Sequence, residues 1–556
     1  MTKTRFLFAL YAAFALAVLL FLQTSAPGAS AGTPTQPSPG VLPSPTWGTD
    51  IRVSALAVPT PYKRKNITLA INPTNSNMVV AGYERSKDVG PNTSASSYSV
   101  STDAGRNWTG SEWPGPWGTE EMVPYGDVNV DFDGHGTLYA SSLAGNNITN
   151  AHFVLTSTNG VTWGQPYMVV SSSWDFFRSR SRLIADKRTS GPNAGSIYLF
   201  WAYTSNQFPL WHGVQGRYSR DGGATWSGDI QVSTPDQNNF AFGLDAAEGT
   251  DGVLYVAWEN KDEAYWASPP ELYLSRSTDH GVTWEPETLI SGAPVQYIGR
   301  PDYKFRELVL AAAADCSDVR VDHFPHIAVS PQNSNHVYAV WNDSRWDTQA
   351  SGCGRQLRHS DIAFSRSTDA GQTWSPVIRL NDDTIANGVD QWMPSITTAH
   401  DGTIGVHWYD RRYAADPYFY DVAYTQSTDG GLTWSPNVRI SDVSSNPDSL
   451  PDYKDIDDLG YRNAIAFGYD YVLPLWMDTR LGERQGDIFT DRGTFSVPSP
   501  TPTSTGQATS TPTRTSSPTP TLTPTLTRTA TPTGTAATPT ATTTACTLQF
   551  ADVPPT

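Results

Sequence analysis

Cysteine is nearly absent from this chain. Cys316, Cys353 and Cys546 are the only three in 556 residues. So few, with no metal-ligand spacing, exclude a zinc framework and a small disulfide-stapled scaffold. Cys316 and Cys353 lie in long loops of one repeat. They are open either to pairing outside the cell or to standing as separate thiols. Basic residues are also scarce, with 37 Lys and Arg against 54 Asp and Glu, for a net charge of −17. That balance argues against a nucleic-acid partner, which needs a basic face. Beyond Leu22 no stretch is apolar enough to span a bilayer.

The one long apolar run opens the chain. Lys3 and Arg5 precede a nearly unbroken apolar stretch from Phe6 to Leu22, and Ala29-Ser30-Ala31 offers small residues for cleavage. This reads as a secretory signal over residues 1–31, with an uncleaved anchor as the alternative. Residues 1–31 carry two positive and no negative charges, so removing them leaves −19. A short linker over 32–46 is expected to follow.

What the chain does have is repetition. The pattern S-x-D-x-G-x-T-W occurs at Ser219–Trp226, Ser277–Trp284, Ser367–Trp374 and Ser427–Trp434. Ser101–Trp108 has Asn107 for Thr, and Ser157–Trp163 is one residue short with Asn159 for Asp. Ser and Asp side chains bond backbone N–H groups in tight turns. Gly supplies the positive φ such a turn needs, and Trp gives a large plate with one donor. Six copies of a turn mark structure, so Asp103, Asp221, Asp279, Asp369 and Asp429 are expected to be structural.

Each turn sits in a unit of four short strand-like runs rich in β-branched and aromatic residues. In the clearest unit these are His326–Ser330, His336–Trp341, Asp361–Ser365 and Val377–Leu380. First strands recur near Ile67–Ile71, Val128–Phe132, Leu183–Asp186, Gly243–Ala247, His326–Ser330, Ser395–Thr398 and Ala464–Phe467, giving seven units. The seventh ends at Asp487–Thr490 without a turn motif or a fourth strand. Trp47–Ser54 resembles the fourth strand at Trp226–Ser233, so the N-terminal strand is expected to complete the last unit and close a ring. The fold expected is all-β, a propeller of four-stranded blades over 47–495. Seven blades are favoured and six are the alternative. Residues 496–545 are Thr/Pro-rich, cannot build a core, and read as a disordered stalk.

The turn motif resembles the Asp-box, or BNR repeat, of the sialidase superfamily. The resemblance implies a β-propeller and, by family habit, action on glycans. Exo-sialidases of that family have six blades, an R-I-P motif, an arginine triad, a Tyr nucleophile with its Glu, and an Asp acid/base. No R-I-P occurs here, and Arg64-Lys65-Asn66 and Arg300-Pro301 are poor substitutes, so the family's residues are not carried over. Residues 546–556, with Phe550-Ala551-Asp552-Val553-Pro554, resemble the start of an S-layer homology domain. That implies a secreted chain anchored at a bacterial cell surface through a cell-wall polymer.

Chemistry is expected in the loops leaving second strands and leading into first strands. A second repeat, W-x-D-x-R, lies there: Trp341–Arg345, Trp408–Arg412 and Trp476–Arg480, with Trp258-Glu259-Asn260 at the fourth unit. One reading makes each Asp–Arg pair a brace for its own loop. The other converges Arg345, Arg412 and Arg480 on an anionic sugar, with Asp410, Asp390, Asp343 or Asp478 as acid/base. Asp322 and Asp390 precede first strands, and paired carboxylates suit glycoside hydrolysis. Trp346 and Trp392, with Trp211, Tyr265, Trp266, Tyr413, Tyr418, Phe419, Tyr420, Trp174, Phe176 and Phe177, are candidate sugar platforms or loop packing. Asp452, Asp455, Asp457 and Asp458 suit calcium or a solvated loop; Asp131-Phe132-Asp133-Gly134 resembles part of a calcium loop, but the aligned units place it at a hairpin turn. No other cofactor is expected. Two functions stay open: a sialidase-like glycoside hydrolase, or a non-catalytic propeller holding a glycan or glycoprotein. A monomer is expected.

Overall fold

The computed structural model describes residues 43–495, apart from 55–61, 87–93, 114, 147, 174–175, 206–210, 263–269, 291–299, 303–306, 312–317, 322, 348–358, 448–455, 458 and 483–484. The chain divides into two units, Met1–Val497 and Pro498–Thr556. The second unit lies outside the described residues, as do the signal sequence, the stalk, the S-layer-like segment and all three cysteines.

The first unit is all-β, and its four-stranded antiparallel sheets are arranged like blades. The inner strands are Tyr62–Ile71, Val123–Phe132, Phe176–Ala185, Asn239–Glu248, His326–Ser330, Gln391–Thr398 and Ala464–Phe467. We number the sheets one to seven in that order. Each inner strand touches the next, and the seventh touches the first. The pattern follows from composition. Strand cores such as Val337–Trp341 are buried on both faces, because each sheet is covered by its neighbours.

The seventh sheet takes its outer strand from the other end of the unit. Ile51–Arg52 pairs antiparallel with Phe489–Thr490, and Thr46 bridges to Thr494. Tyr62–Lys63 pairs parallel with Gln485–Gly486. Asp487, wholly buried, gathers this junction. It accepts hydrogen bonds from Arg52 Nη2 at 2.7 Å, Tyr62 Oη at 3.2 Å, Ser54 Oγ and Arg64 Nη1. One carboxylate therefore ties residues over 400 positions away in sequence.

The repeated turns join third strands to outer strands. In Ser219–Trp226, Ser219 Oγ donates to Asp221 Oδ1 at 2.7 Å and accepts from Gly223 N at 2.9 Å. Asp221 also accepts from Thr225 N at 2.9 Å and Thr225 Oγ1 at 2.6 Å. The glycine sits against the preceding sheet. A Cβ on Gly105 would lie 2.7 Å from Leu473 of sheet seven, and one on Gly431 would lie 2.5 Å from Phe364 of sheet five. These turns stitch sheet to sheet, with φ at +83° in both glycines.

Sequence reasoning did not anticipate one element. Arg300–Asp302, Glu307–Ala311 and Asp318–Val321 form a small sheet to which Ile456–Asp457 adds in parallel. It is built from the segment between sheets four and five and from the segment leading into sheet seven.

Candidate functional site

The three W-x-D-x-R segments form closed braces. Trp408 Nε1 donates to Asp410 Oδ2 at 3.0 Å, Arg412 N to Oδ1 at 2.9 Å, and Arg412 Nε to Oδ2 at 2.8 Å. Asp343 receives Trp341, Arg345 N and Arg345 Nε in the same way, at 3.0, 2.9 and 2.9 Å. Asp478 receives Trp476 and Arg480 N at 3.1 and 2.8 Å. All three carboxylates are sealed from solvent. Burial pushes the Asp410 carboxyl up, with Arg412 pulling it back, but no substrate atom can reach it.

Nor are the arginines gathered on the axis. Arg412 reaches outward to Asn437, at 2.8 Å, and to Asp382. Asn437 directly precedes the outer strand Val438–Arg439 of sheet six. Arg480 likewise bonds Asp50 at 2.6 Å, just before the outer strand of sheet seven. Asp382 and Asn437 exchange backbone-to-side-chain bonds of 2.9 Å each, and Asp442 and Asp50 exchange equivalents of 2.7 and 2.9 Å. These are latches between neighbouring sheets. The bracing reading therefore replaces the convergent one for Asp343, Asp410, Asp478, Arg345, Arg412 and Arg480.

Asp390 is also committed. It accepts from Arg411 Nη1 at 2.9 Å, His359 Nδ1 at 3.2 Å and Ser360 N at 3.1 Å. Burial pushes its carboxyl up, but His359 and Arg411 outweigh burial and hold it below the usual carboxylate range. Trp392 is wholly buried against Tyr409 and Tyr420, with Arg411 over its ring, so it offers no platform. Trp346 and Tyr413 are half-buried and pack on the core. Trp211 remains 39% exposed. Asp322, Asp452, Asp455 and Asp458, and the side chains of Asp457, Trp174, Phe176, Phe177, Tyr265 and Trp266, lie outside the described residues. In Asp131–Gly134, Asp133 holds a hairpin turn and Asp131 takes Ala185 N and Lys187, so protein donors already occupy both carboxylates.

The groups that do converge sit where inner strands begin. Five inner strands carry a bulge there, and each bulge holds a residue at positive φ: Asn66, Asp127, Arg180, Gly243 and Met393, at +50° to +58°. Phe324 and Arg462 hold the same register position in sheets five and seven, two residues before His326 and Ala464. A bulge re-aims its side chain, and here the aim is toward the axis. Arg180 of sheet three lies 4.7 Å from the Phe242 ring centroid of sheet four, 5.3 Å from Phe324 of sheet five and 5.2 Å from Tyr461 of sheet seven. Only groups near the common axis can bridge four sheets in this way.

Acids meet these cations. Tyr461 Oη donates to Asp127 Oδ1 at 3.0 Å. Glu84 accepts from Asp127 N at 2.8 Å and Asn66 Nδ2 at 2.7 Å, and Asn66 Oδ1 accepts from Tyr461 N at 2.9 Å. Burial pushes the Glu84 carboxyl up, eased by Lys65. Burial and the charges of Glu84 and Asp127 push the Tyr461 phenol well up, while Arg462 and Arg180 pull it back. Arg182 pairs with Asp245 at 2.8 Å. Lys261 pairs with Glu259 at 3.2 Å and lies over Phe242 and Phe324. Arg180 Nη1 and Tyr125 Oη are buried without a hydrogen-bond partner among the described residues. Such orphaned donors at a convergence point mark a place where a ligand could supply acceptors.

The sequence carried a signal for this cluster that the reasoning passed over. Arg178-Ser179-Arg180-Ser181-Arg182 alternates arginine with serine ahead of the apolar Leu183-Ile184-Ala185 of the same strand.

No model of a known protein family matches the chain. A sialidase of Micromonospora viridifaciens is 27% identical over 187 residues, 31% of this chain and 27% of that enzyme's own length. Among solved structures, a protein of unknown function from Dyadobacter fermentans covers 69% of this chain and 99% of its own, at 16% identity and a TM-score of 0.41. A Hadza microbial sialidase covers 73% and 74%, at 15% identity and 0.40. An α-L-arabinofuranosidase of Fusarium graminearum in complex with arabinobiose covers 80% and 97%, at 10% identity and 0.40.

Proposed function

We propose that this chain is a secreted, sialidase-like propeller of seven blades that cleaves a glycosidic bond at its axis. The pairing of Ile51–Arg52 with Phe489–Thr490 and the succession of inner strands support the ring. The observation that carries the chemistry is the Tyr461–Asp127 hydrogen bond beside Arg180 and Glu84. A phenol is a poor nucleophile until a neighbouring carboxylate takes its proton, and tyrosine serves as nucleophile in sialidases. Tyr461 is then the nucleophile, Asp127 its base and Glu84, raised by burial, the acid. Arg180 and Lys261 stand ready for an anionic sugar on an extracellular glycan or glycoprotein. Residues 1–31 direct secretion, and 496–556 form a stalk and the start of a cell-wall tether.

A non-catalytic glycan-binding propeller is the second reading. Its motivation is that Phe242, Phe324 and Tyr461 surround the Arg180 guanidinium, crowding the space a reacting sugar needs. A fluorogenic sialoside, run beside neutral and acidic glycosides, separates the two. Release that vanishes in Tyr461→Phe supports the enzyme. No release from any member of the panel, with saturable glycan binding, overturns it in favour of the binding module.

A further inference from the structure

The brace described above is missing from sheet four, and a groove stands in its place. Trp258 is the counterpart of Trp341, Trp408 and Trp476, but two residues on is Asn260 and four on is Asp262, where the other sheets have Asp and Arg. The latch between sheets is still present. Thr234 follows the outer strand of sheet three by three residues, as Asp382 and Asp442 follow theirs. Glu287 directly precedes the outer strand of sheet four, as Asn437 and Asp50 precede theirs. Thr234 Oγ1 donates to Glu287 Oε2 at 3.2 Å. Latch and floor remain, but the arginine that fills the gap in sheets six and seven is gone.

The groove lies where that side chain would sit and carries the opposite charge, Asp236 and Glu287 being among its lining. It is lined by Trp258, Tyr273, Asn260, Glu287, Asp236 and His212, among others, and by no Lys or Arg among the described residues. In sheet seven the Arg480 guanidinium lies 4.5 Å from the ring of Phe489, the residue paired with Trp476. In sheet four the residue paired with Trp258 is Tyr273, stacked on it at 6.0 Å between centroids, with no cation over it among the described residues. Glu287 stands where Asp50 receives Arg480. Trp258 is 3% exposed, and its Nε1 makes no hydrogen bond among the described residues, whereas its three counterparts all donate. Ring below, carboxylate at the edge and an open groove of about 180 Å³, roomy enough for a guanidinium, occur together. We infer that this groove binds a guanidinium group, an arginine side chain presented by a ligand, in the place the fold elsewhere fills with its own arginine. Planar stacking and a charge-assisted bond to Glu287 hold it.

The test is calorimetric titration of the full chain with N-acetyl-arginine amide at low salt, with methyl glucoside as a neutral probe. Saturable binding of the arginine probe is expected, weaker by about tenfold or more in Glu287→Gln. The double variant Asn260→Asp with Asp262→Arg rebuilds the brace and should abolish binding. Equal affinity in wild type and the double variant, absence of arginine binding, or preference for methyl glucoside would overturn the assignment. If the double variant fails to fold by circular dichroism, Glu287→Gln alone decides. Tighter binding of acetyl-Gly-Arg-Gly amide than of the single residue assigns the arginine to a polypeptide; equal binding assigns it to the free amino acid or a small guanidine.

Discussion

Two layers of this molecule use the repeat in opposite ways. At the second-strand exits, sheets five, six and seven place the same Trp, Asp and Arg in the same hydrogen bonds. At the inner-strand bulges, the sheets share one backbone conformation but fill it with Asn, Asp, Arg, Gly and Met. A device that repeats with its side chains intact answers a need every sheet has, namely joining its neighbour. A position that repeats only its backbone has been given different chemistry in each sheet. Two of these groups then reach residues of other sheets: Asp127 meets Tyr461, and Arg180 meets the rings of Phe242, Phe324 and Tyr461. Repetition marks scaffold here, and its breakdown marks the candidate site.

The largest effect expected from that contrast is kinetic. Tyr461→Phe should lower turnover of a released glycoside by about a hundredfold or more, with the melting temperature little changed. Arg412→Ala should leave the same rate intact, because its guanidinium serves the latch to Asp382 and Asn437. Equal losses in both would erase the distinction between axis and braces. Next comes stability. Asp410→Ala leaves Arg412 and the Trp408 donor buried without their acceptor, and should cost about 3–5 kcal/mol in denaturant unfolding. Asp487→Ala, at the junction of the first and last strands, should cost a similar ~3–5 kcal/mol. If the Asp487 variant unfolds no earlier than wild type, the N-terminal strand is not what holds the seventh sheet.

Buried histidines offer a milder test by pH. Burial pulls His407 down to about 3 and His326 down to about 4. His407 is wholly buried, with only the Ala464 backbone acting against its burial. A histidine depressed by folding favours the neutral form. Its contribution is complete above the unfolded value near 6.5 and is lost as pH falls toward 3 to 4. Thermal melts from pH 7 to 4 should show a steady decline, partly relieved in His407→Phe. A flat profile would mean that these sites charge without penalty.

The repeat made the fold legible, and the same repeat concealed the site. Seven first strands could be placed from period and turn chemistry, and the match at His326–Ser330 and Ala464–Phe467 is residue for residue. The fourth strand of the last sheet was readable because Trp47–Ser54 echoes Trp226–Ser233. W-x-D-x-R drew attention because it was conspicuous, and its bracing role was one of the two readings it allowed. The axial groups had no shared side-chain signature to find. A bulge is a backbone event, and Asp127, Arg180 and Met393 announce it with no common residue type. Contact between Tyr461 and Asp127 spans 334 positions in sequence, and no local pattern announces it. The small sheet joining Asp318–Val321 to Ile456–Asp457 was likewise invisible, since strands of two to five residues carry little period and its last strand comes from a distant segment.

The smallest expected effect belongs to the most repeated residue. Asp221 lies in an exposed turn, and hydrogen bonds from Thr225 and Ser219 hold its carboxyl down to about 2. A carboxyl depressed by folding stabilises above its unfolded value of 3.8 and loses that contribution as pH falls toward 2. Water competes for every bond in such a turn, so each copy contributes little. Asp221→Asn keeps an acceptor for Thr225 N, much as Asn159 does in the shortened copy, where it accepts from Val161 N and Thr162 N at 2.9 and 2.8 Å. The variant should therefore unfold at nearly the same denaturant midpoint as wild type at pH 7, with part of the acid-limb slope below pH 4 removed. A large loss at pH 7 would give this one turn a duty the other five do not share, and would move Asp221 from the repeated layer to the differentiated one.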